Sequence, residues 1–100
     1  GDALDAFEAE VVEPMAITPR TAYRRTVRLL RLQLGDRVAD PREALTADDL
    51  RAFVTWHRAH GLSDDAEGTR KAAVHVARLA AWLDLAVSRD ELRALAPDGA

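Results

Sequence analysis

The sequence contains no cysteine, which excludes disulfide scaffolds, zinc-thiolate sites and thiol nucleophiles. No apolar run approaches the roughly 20 residues that a bilayer span requires, and no glycine-rich loop offers a phosphate cradle. No stretch of basic, apolar and small residues marks a secretory signal. We therefore expect a cytoplasmic protein without a membrane partner and without a cofactor.

Strand patterns are also missing. No alternation of apolar and polar residues is long enough for a strand, and no Asn-Gly or Asp-Gly turn separates two such runs. Of the 100 residues, 48% are hydrophobic and 31% are charged, which is typical of one globular domain. We expect an all-α fold in which four helices pack around one core, preceded by a short acidic helix or arm.

Helix start and stop signals divide the chain. Leu4, Phe7 and Val11 have the spacing of one helical stripe, and Pro14 ends that stripe. The sequence thus predicts an acidic arm or short helix over residues 1–15, a helical domain over residues 16–96 and a tail over residues 97–100.

The first long helix has the clearest signals. Thr18 is predicted to cap it, Pro19 suits its first position, and Gly35 suits its C-terminal stop. Its core face is predicted from one stripe of residues: Tyr23, Val27, Leu30 and Leu34.

Capping residues predict where the remaining helices begin. Thr46 and Asp49 have the spacing of a capping box. Ser63 precedes the next helix, and Ser88 with Glu91 predicts a second capping box. Helical spacing then predicts these buried positions: Leu50, Phe53, Val54 and His57 on one helix, Ala72, Ala73, Val76, Leu79, Ala80 and Leu83 on the next, and Leu92 and Leu95 on the last.

Charge is segregated along the chain, although the net charge is only −3. Residues 1–17 contain five acids and no base, whereas residues 18–37 contain six arginines against the single acid Asp36. A second basic block lies between residues 70 and 79, where no acid occurs. These two local blocks keep nucleic-acid binding open despite the acidic average.

The basic residues fall on defined helix faces when each residue advances by 100°. On the first long helix they form a ridge beside the core stripe: Arg20, Arg24, Arg28 and Arg31. On the helix that follows Ser63 they lie away from the apolar face: Arg70, Lys71, His75 and Arg78. Such ridges suit the backbone of duplex DNA, which carries a negative charge every ~1.7 Å of axis. The solvated face of any amphipathic helix would give the same pattern, so this alternative stays open.

Catalytic and metal-binding patterns are weak. Tyr23 lies on the core stripe, so we expect it to pack rather than to act as a nucleophile. His57 and His60 have a spacing that can share a metal ion, but a third ligand would have to come from Asp64 or Asp65. We expect structural roles for both histidines and no metal site.

Carboxylate pairs and tryptophans have equally simple explanations. Asp48 and Asp49 lie in the first turn of a helix, where the helix dipole favours acids. Trp56 and Trp82 lie off the centres of the core stripes, so we expect half-buried packing rather than base stacking. We therefore expect a protein that is not an enzyme by itself.

Several stretches of the sequence resemble one family. They are residues 18–25 (TPRTAYRR), residues 44–54 (ALTADDLRAFV), and residues 61–63 (GLS) leading into residues 69–71 (TRK) and 80–83 (AAWL). Together they resemble the N-terminal core-binding domain of tyrosine recombinases, or phage integrases, over about residues 16–96. That domain is a four-helix, SAM-like bundle. Two details differ: Thr21 and Tyr23 are two residues apart rather than four, and Ala80 and Ala81 replace residues that are often aromatic.

The resemblance implies a role in DNA recombination and DNA integration. In this family the domain clamps one face of duplex DNA opposite the catalytic domain, with its first and third helices toward the major groove. The partners it implies are double-stranded DNA and a C-terminal catalytic domain of the same parent chain, whose catalytic residues are not recognisable in this sequence. By helix position it implies these DNA contacts: Arg20, Thr21, Arg24, Arg28, Arg31, Thr69, Arg70, Lys71, His75 and Arg78.

A second class of function stays open, a helical protein–protein interaction module without a nucleic-acid role. Salt dependence separates the two, because five or six phosphate contacts predict a log–log affinity slope near −5. The acidic arm allows two further hypotheses: it folds over a basic ridge and suppresses nonspecific binding, or it contacts a neighbouring protomer. The DNA hypothesis depends on the two basic ridges sharing one side of the molecule.

Overall fold

The structure, a computed structural model, describes residues 3–35, 45–60 and 66–96, with side chains from residue 68 onward in the last range. These residues form helices and contain no strand, which confirms the predicted all-α fold. The helices are α1 (Ala3–Phe7), which continues as a π-helical turn (Glu8–Val12), α2 (Ile17–Leu34), α3 (Ala47–Ala59), α4 (Ala66–Trp82) and α5 (Arg89–Ala94).

Contacts within the chain define two compact units, Gly1–Leu45 and Thr46–Ala100. Unit 1 contains α1, the π-helical turn and α2, and unit 2 contains α3, α4 and α5. The predicted division into an arm over residues 1–15, a bundle over residues 16–96 and a tail stays a prediction.

In unit 1, the acidic segment (residues 3–13) buries one apolar face. Leu4 and Phe7 are buried as predicted, but the third buried residue is Val12, and Val11 is only half-buried. The prediction for Val11 is wrong because the wider π-helical turn, closed by a 2.8 Å bond from the Glu13 amide to the Glu8 carbonyl, shifts the buried face by one residue.

The start of α2 also differs from the prediction. The helix begins at Ile17, and its N-cap is Ala16, whose side chain cannot accept a capping bond. Thr18 is therefore not the cap, and Pro19 occupies the third helical position rather than the first. The proline is tolerated there because the first four amides of a helix have no partner within it.

The rest of α2 follows its sequence pattern. All four residues of the predicted stripe are buried, and the Phe7 and Tyr23 ring centroids lie 6.4 Å apart. Gly35 ends the helix with a φ of +61°, in the left-handed region that favours glycine.

In unit 2, α3 starts with the predicted capping box. The Thr46 hydroxyl accepts from the Asp49 amide at 3.2 Å, and the Asp49 carboxylate accepts from the Thr46 amide at 2.9 Å. The stripe ending at His57 is buried as predicted, and α3 ends at Ala59.

The helix α4 is described from Ala66, and Ser63 lies outside the described residues. Five of its six predicted core residues are buried, and Leu83, just beyond the helix end, is half-buried. The helix ends in a Schellman motif, in which the amides of Asp84 and Leu85 donate to the carbonyls of Ala81 and Ala80. Asp84 takes the left-handed position, with a φ of +58°.

The short helix α5 has half of its predicted capping box. The Ser88 hydroxyl accepts from the Glu91 amide at 3.1 Å. The Glu91 carboxylate instead accepts from Arg51 Nε at 2.7 Å, which joins α5 to α3. Leu92 is fully buried and Leu95 is half-buried, so the predicted packing face is correct mainly at Leu92.

None of the helices in the described part of the chain is long and apolar enough to cross a membrane.

Candidate nucleic-acid interface

A basic groove lies between α4 and α5 in unit 2. It is open, about 310 Å³ in volume, and lined by Arg70, Lys71, Val74 and His75 from α4 and by Arg93 from α5. No carboxylate lines it among the residues that the structure describes. The basic groove therefore brings three permanent positive charges together, an arrangement that suits an anion.

His75 contributes hydrogen-bonding capacity to the basic groove rather than charge at neutral pH. Partial burial, and to a smaller extent the positive charge of Lys71, lowers the pKa of His75 from 6.5 to about 4. An anion seated beside the ring would oppose both effects, because it would favour the protonated imidazole.

The other two residues predicted on α4 have different surroundings. Arg78 is exposed and lies three residues, just under one helical turn, beyond His75 along α4. Thr69 is buried, and its hydroxyl is hydrogen-bonded to His57 Nδ1 at 3.0 Å. Thr69 thus links α3 and α4 inside unit 2 and is not accessible to a phosphate, contrary to the expectation from the resemblance.

In unit 1, the acidic segment pairs with part of the α2 ridge. Arg24 is hydrogen-bonded to Glu13. Arg31 donates to the carboxylates of Asp5 at 2.6 Å and Glu8 at 3.2 Å. Two of the four predicted DNA-binding arginines of α2 therefore already have carboxylate partners.

The same ion pair affects the pKa of Glu13. Its hydrogen bond with Arg24 lowers the pKa of the Glu13 carboxyl below 4.5, and the charges of Arg24 and Arg20 contribute in the same direction. Arg20 therefore also interacts electrostatically with Glu13. Arg28 is exposed and forms no ion pair with any residue that the structure describes.

Thr21, the remaining predicted contact in unit 1, is exposed on α2. Its hydroxyl donates to the Ile17 carbonyl at 2.9 Å, one turn earlier in the same helix. This bond is a common helical arrangement for threonine, and it leaves the oxygen lone pairs rather than the proton toward solvent. The DNA contact that the resemblance implies for Thr21 stays a prediction.

Arg93 is the basic residue that sequence reasoning missed. It lies in the last turn of α5, only three residues after Asp90, so the local sequence shows no basic block. Arg93 lines the basic groove because α5 packs on α4. The sequence feature that bears on this position is the predicted helix through Leu92.

The residues considered as a nucleophile or as metal ligands have structural roles where the structure describes them. Tyr23 is buried, as expected for a packing residue. His60 Nδ1 donates to the Trp56 carbonyl at 2.9 Å, and the Trp56 ring stacks on Phe53 with 6.1 Å between centroids. Asp64 and Asp65 lie outside the described residues. Within the described part, no three potential ligands cluster around a possible metal position.

The exposed apolar residues of α2 do not form a patch. Ile17 is 70% exposed and Leu32 is 67% exposed, but fifteen positions, about four helical turns, separate them. Isolated apolar side chains are normal on protein surfaces, so this pair does not favour a protein partner.

The resemblance to tyrosine recombinases rests on the residues quoted above. Comparison of this chain with protein-family models, with curated proteins and with solved structures finds no match.

Proposed function

We propose that this protein binds duplex DNA and that the basic groove between α4 and α5 makes the principal backbone contacts. The observation that carries the proposal is the meeting of Arg70, Lys71 and Arg93 in one groove with no described acid in its lining. Arginine and lysine account for most protein contacts to phosphate oxygens, and an open basic groove can follow a backbone without reading its sequence.

The parent function that we propose is site-specific recombination of the tyrosine recombinase type. The resemblance over about residues 16–96 supports it, together with the presence of basic residues on both α2 and α4. In this role the chain would hold DNA while a C-terminal catalytic domain of the same parent chain cuts and joins strands. The predicted convergence of the two basic ridges stays part of this proposal.

The test is the affinity for a labelled duplex of about 25 base pairs, measured by fluorescence anisotropy over a range of salt concentrations. We count the phosphate contacts of the basic groove together with Arg78 on the same helix, which gives three or four: Arg70, Lys71, Arg93 and Arg78. We therefore expect a log–log slope near −3, shallower than the value near −5 that the sequence alone predicts. Absence of binding at low salt, or a slope near zero, would overturn the proposal and favour a protein-interaction module.

A matched pair of double variants tests the position of the interface. Arg70→Gln with Lys71→Gln removes two positive charges from the basic groove, and we expect about a tenfold or larger loss of affinity and a slope reduced by about 2. Arg58→Gln with Arg89→Gln removes two charges from exposed positions that do not line the groove. Equal losses in the two variants would show a general effect of net charge and no defined interface.

A further inference from the structure

We propose that the acidic segment (residues 3–13) is a fixed electrostatic shield, which competes with polyanions for Arg24 and Arg31 of α2. The proposal concerns unit 1, whereas the proposed DNA contacts of the basic groove belong to unit 2. It rests on the proposed function only in that duplex DNA is the polyanion used to test it.

The first argument is how the acidic segment is anchored. Leu4, Phe7 and Val12 are almost completely buried in unit 1, and Phe7 packs near Tyr23. Burial of side chains of this size stabilises a folded chain by about 1.5–3 kcal/mol each. Exposed ion pairs contribute only about 0.2–1 kcal/mol each. A polyanion can therefore break the ion pairs much more easily than it can remove the segment.

The second argument is where the carboxylates lie. Asp5 and Glu8 both accept from one guanidinium, that of Arg31, while Glu13 pairs with Arg24 about two turns earlier on α2. These three acids lie along one edge of α2 over a length of about 10 Å, because the two arginines are seven positions apart. They occupy the same edge that a row of phosphates would contact.

The two arguments together define what the shield does. A phosphate that approaches Arg24 or Arg31 must replace a carboxylate, and that carboxylate then stays nearby because its segment is anchored. The repulsion between the carboxylate and the phosphate opposes binding. Since few counterions are released from an arginine that is already paired, α2 also adds little to the salt dependence of binding.

The shield is therefore permanent rather than a lid that opens. It lowers the affinity of unit 1 for any polyanion and leaves the basic groove as the stronger site. Arg28 is the part of the ridge that lies outside the shield, since it is exposed and has no carboxylate partner among the described residues.

The sharpest test compares two glutamates of the same segment. Glu13→Gln removes the partner of Arg24, whereas Glu10→Gln removes one equal charge from an exposed position that has no described ion pair. We expect Glu13→Gln to tighten binding to duplex DNA about two- to fivefold more than Glu10→Gln does, which corresponds to one surface ion pair. Equal effects of the two substitutions would overturn the proposal.

A triple variant gives the full effect. Asp5→Asn, Glu8→Gln and Glu13→Gln together remove the carboxylates that pair with Arg24 and Arg31, and they keep the apolar anchors. We expect about tenfold tighter binding and a log–log salt slope steeper by about 2, because two more phosphate contacts form. Adding Arg24→Gln and Arg31→Gln to the triple variant should abolish the gain. Circular dichroism and thermal melting check that every variant remains folded.

The outcomes separate this proposal from the proposed function. If the unaltered protein binds DNA and the triple variant binds with the same affinity and slope, the shield is wrong and the proposed function stands. If the unaltered protein does not bind and the triple variant does, the shield is supported and the proposed function is wrong. If neither protein binds DNA at low salt, both proposals fail.

Discussion

On α2 two arginines pair with acids, whereas on α4 two basic residues lie in a groove with another arginine. Arg24 and Arg31 pair with the carboxylates of the acidic segment, and Arg70 and Lys71 share the basic groove with Arg93. Both helices carry comparable basic ridges in the sequence. The difference comes from the element that packs beside each one: an acidic segment in unit 1 and the C-terminal end of α5 in unit 2.

This contrast shows why a basic stripe is weak evidence for nucleic-acid binding. The electrostatic field of a ridge depends on the charges of its neighbours in space as much as on its own. Within the described part of unit 1, four acids in residues 3–13 nearly balance the five arginines of α2. In unit 2 the acids of α3 and α5 have other partners, such as Asp48 and Glu91 on Arg51.

The largest expected effect concerns the anchor of the acidic segment. Phe7→Ala should lower the free energy of unfolding by about 3–5 kcal/mol, because it removes a fully buried ring and leaves a cavity. Urea denaturation followed by circular dichroism measures this change. Phe53→Ala, at an equally buried position in unit 2, serves as the reference. A cost below about 1 kcal/mol for Phe7→Ala would mean that the segment is not anchored.

A smaller effect is expected at the buried pair inside unit 2. Thr69→Val keeps the shape of the side chain but removes the buried hydrogen bond to His57 Nδ1, so we expect a loss of about 1–3 kcal/mol in stability. Thr55→Val, at an exposed position of α3, is the control and should change stability by less than about 0.5 kcal/mol. If the two variants have the same melting temperature, the buried hydrogen bond makes no net contribution to stability.

Helix starts give a third contrast between the units. Thr46→Ala removes the cap of α3 and should cost about 1 kcal/mol. Ala16→Ser adds a cap to α2, where none exists. The gain should be only a few tenths of a kcal/mol, because Pro19 at the third position has no amide to donate. Thermal melts of both variants test this asymmetry, and a gain as large as the loss would contradict it.

The smallest expected effect is a difference in acid sensitivity. The folded-state pKa of His75 is about 4, below the ordinary 6.5, so the unfolded chain binds more protons between these values. Stability in unit 2 should thus fall as pH drops from about 6.5 to about 4. Because the ring is only partly buried, solvent screening should keep this loss under about 1 kcal/mol.

Unit 1 should respond at lower pH. The pKa of Glu13 is lowered, so its contribution is present above 4.5 and is lost as pH falls through the folded-state value. Thermal melting from pH 7 to pH 3 measures both responses. His75→Asn should remove the loss above pH 4.5, whereas His60→Asn, at an exposed position, should leave it unchanged. If the melting temperature of His75→Asn keeps the original pH dependence, the loss of stability comes from another group and not from His75.

Local signals account for most of what the sequence predicted correctly. The all-α class, the buried stripes of α2, α3 and α4, the capping box at Thr46 and the stop at Gly35 depend on residues within one or two turns of each other. These features need only helical periodicity and backbone hydrogen-bonding rules.

The predictions that were wrong or missing concern features for which the local sequence allows more than one arrangement. Thr18 and Ala16 both allow a helix start, and the structure begins α2 after Ala16. Glu91 can reach back to its own cap or across to Arg51, and the position of α3 favours Arg51. Arg93 joins the basic groove only because α5 packs on α4. The site is less predictable than the fold because its members come from distant parts of the chain.

The π-helical turn between Glu8 and Val12 has a consequence for chain length. Such turns differ from an ordinary helix by one added residue, and here the spacing from Phe7 to Val12 is five rather than four. Deleting the exposed Ala9 would restore regular α-helical pitch while Leu4, Phe7 and Val12 kept their common face. The N-terminal region should therefore accept a one-residue deletion at this point, whereas the same deletion within α2 would rotate half of the helix out of register.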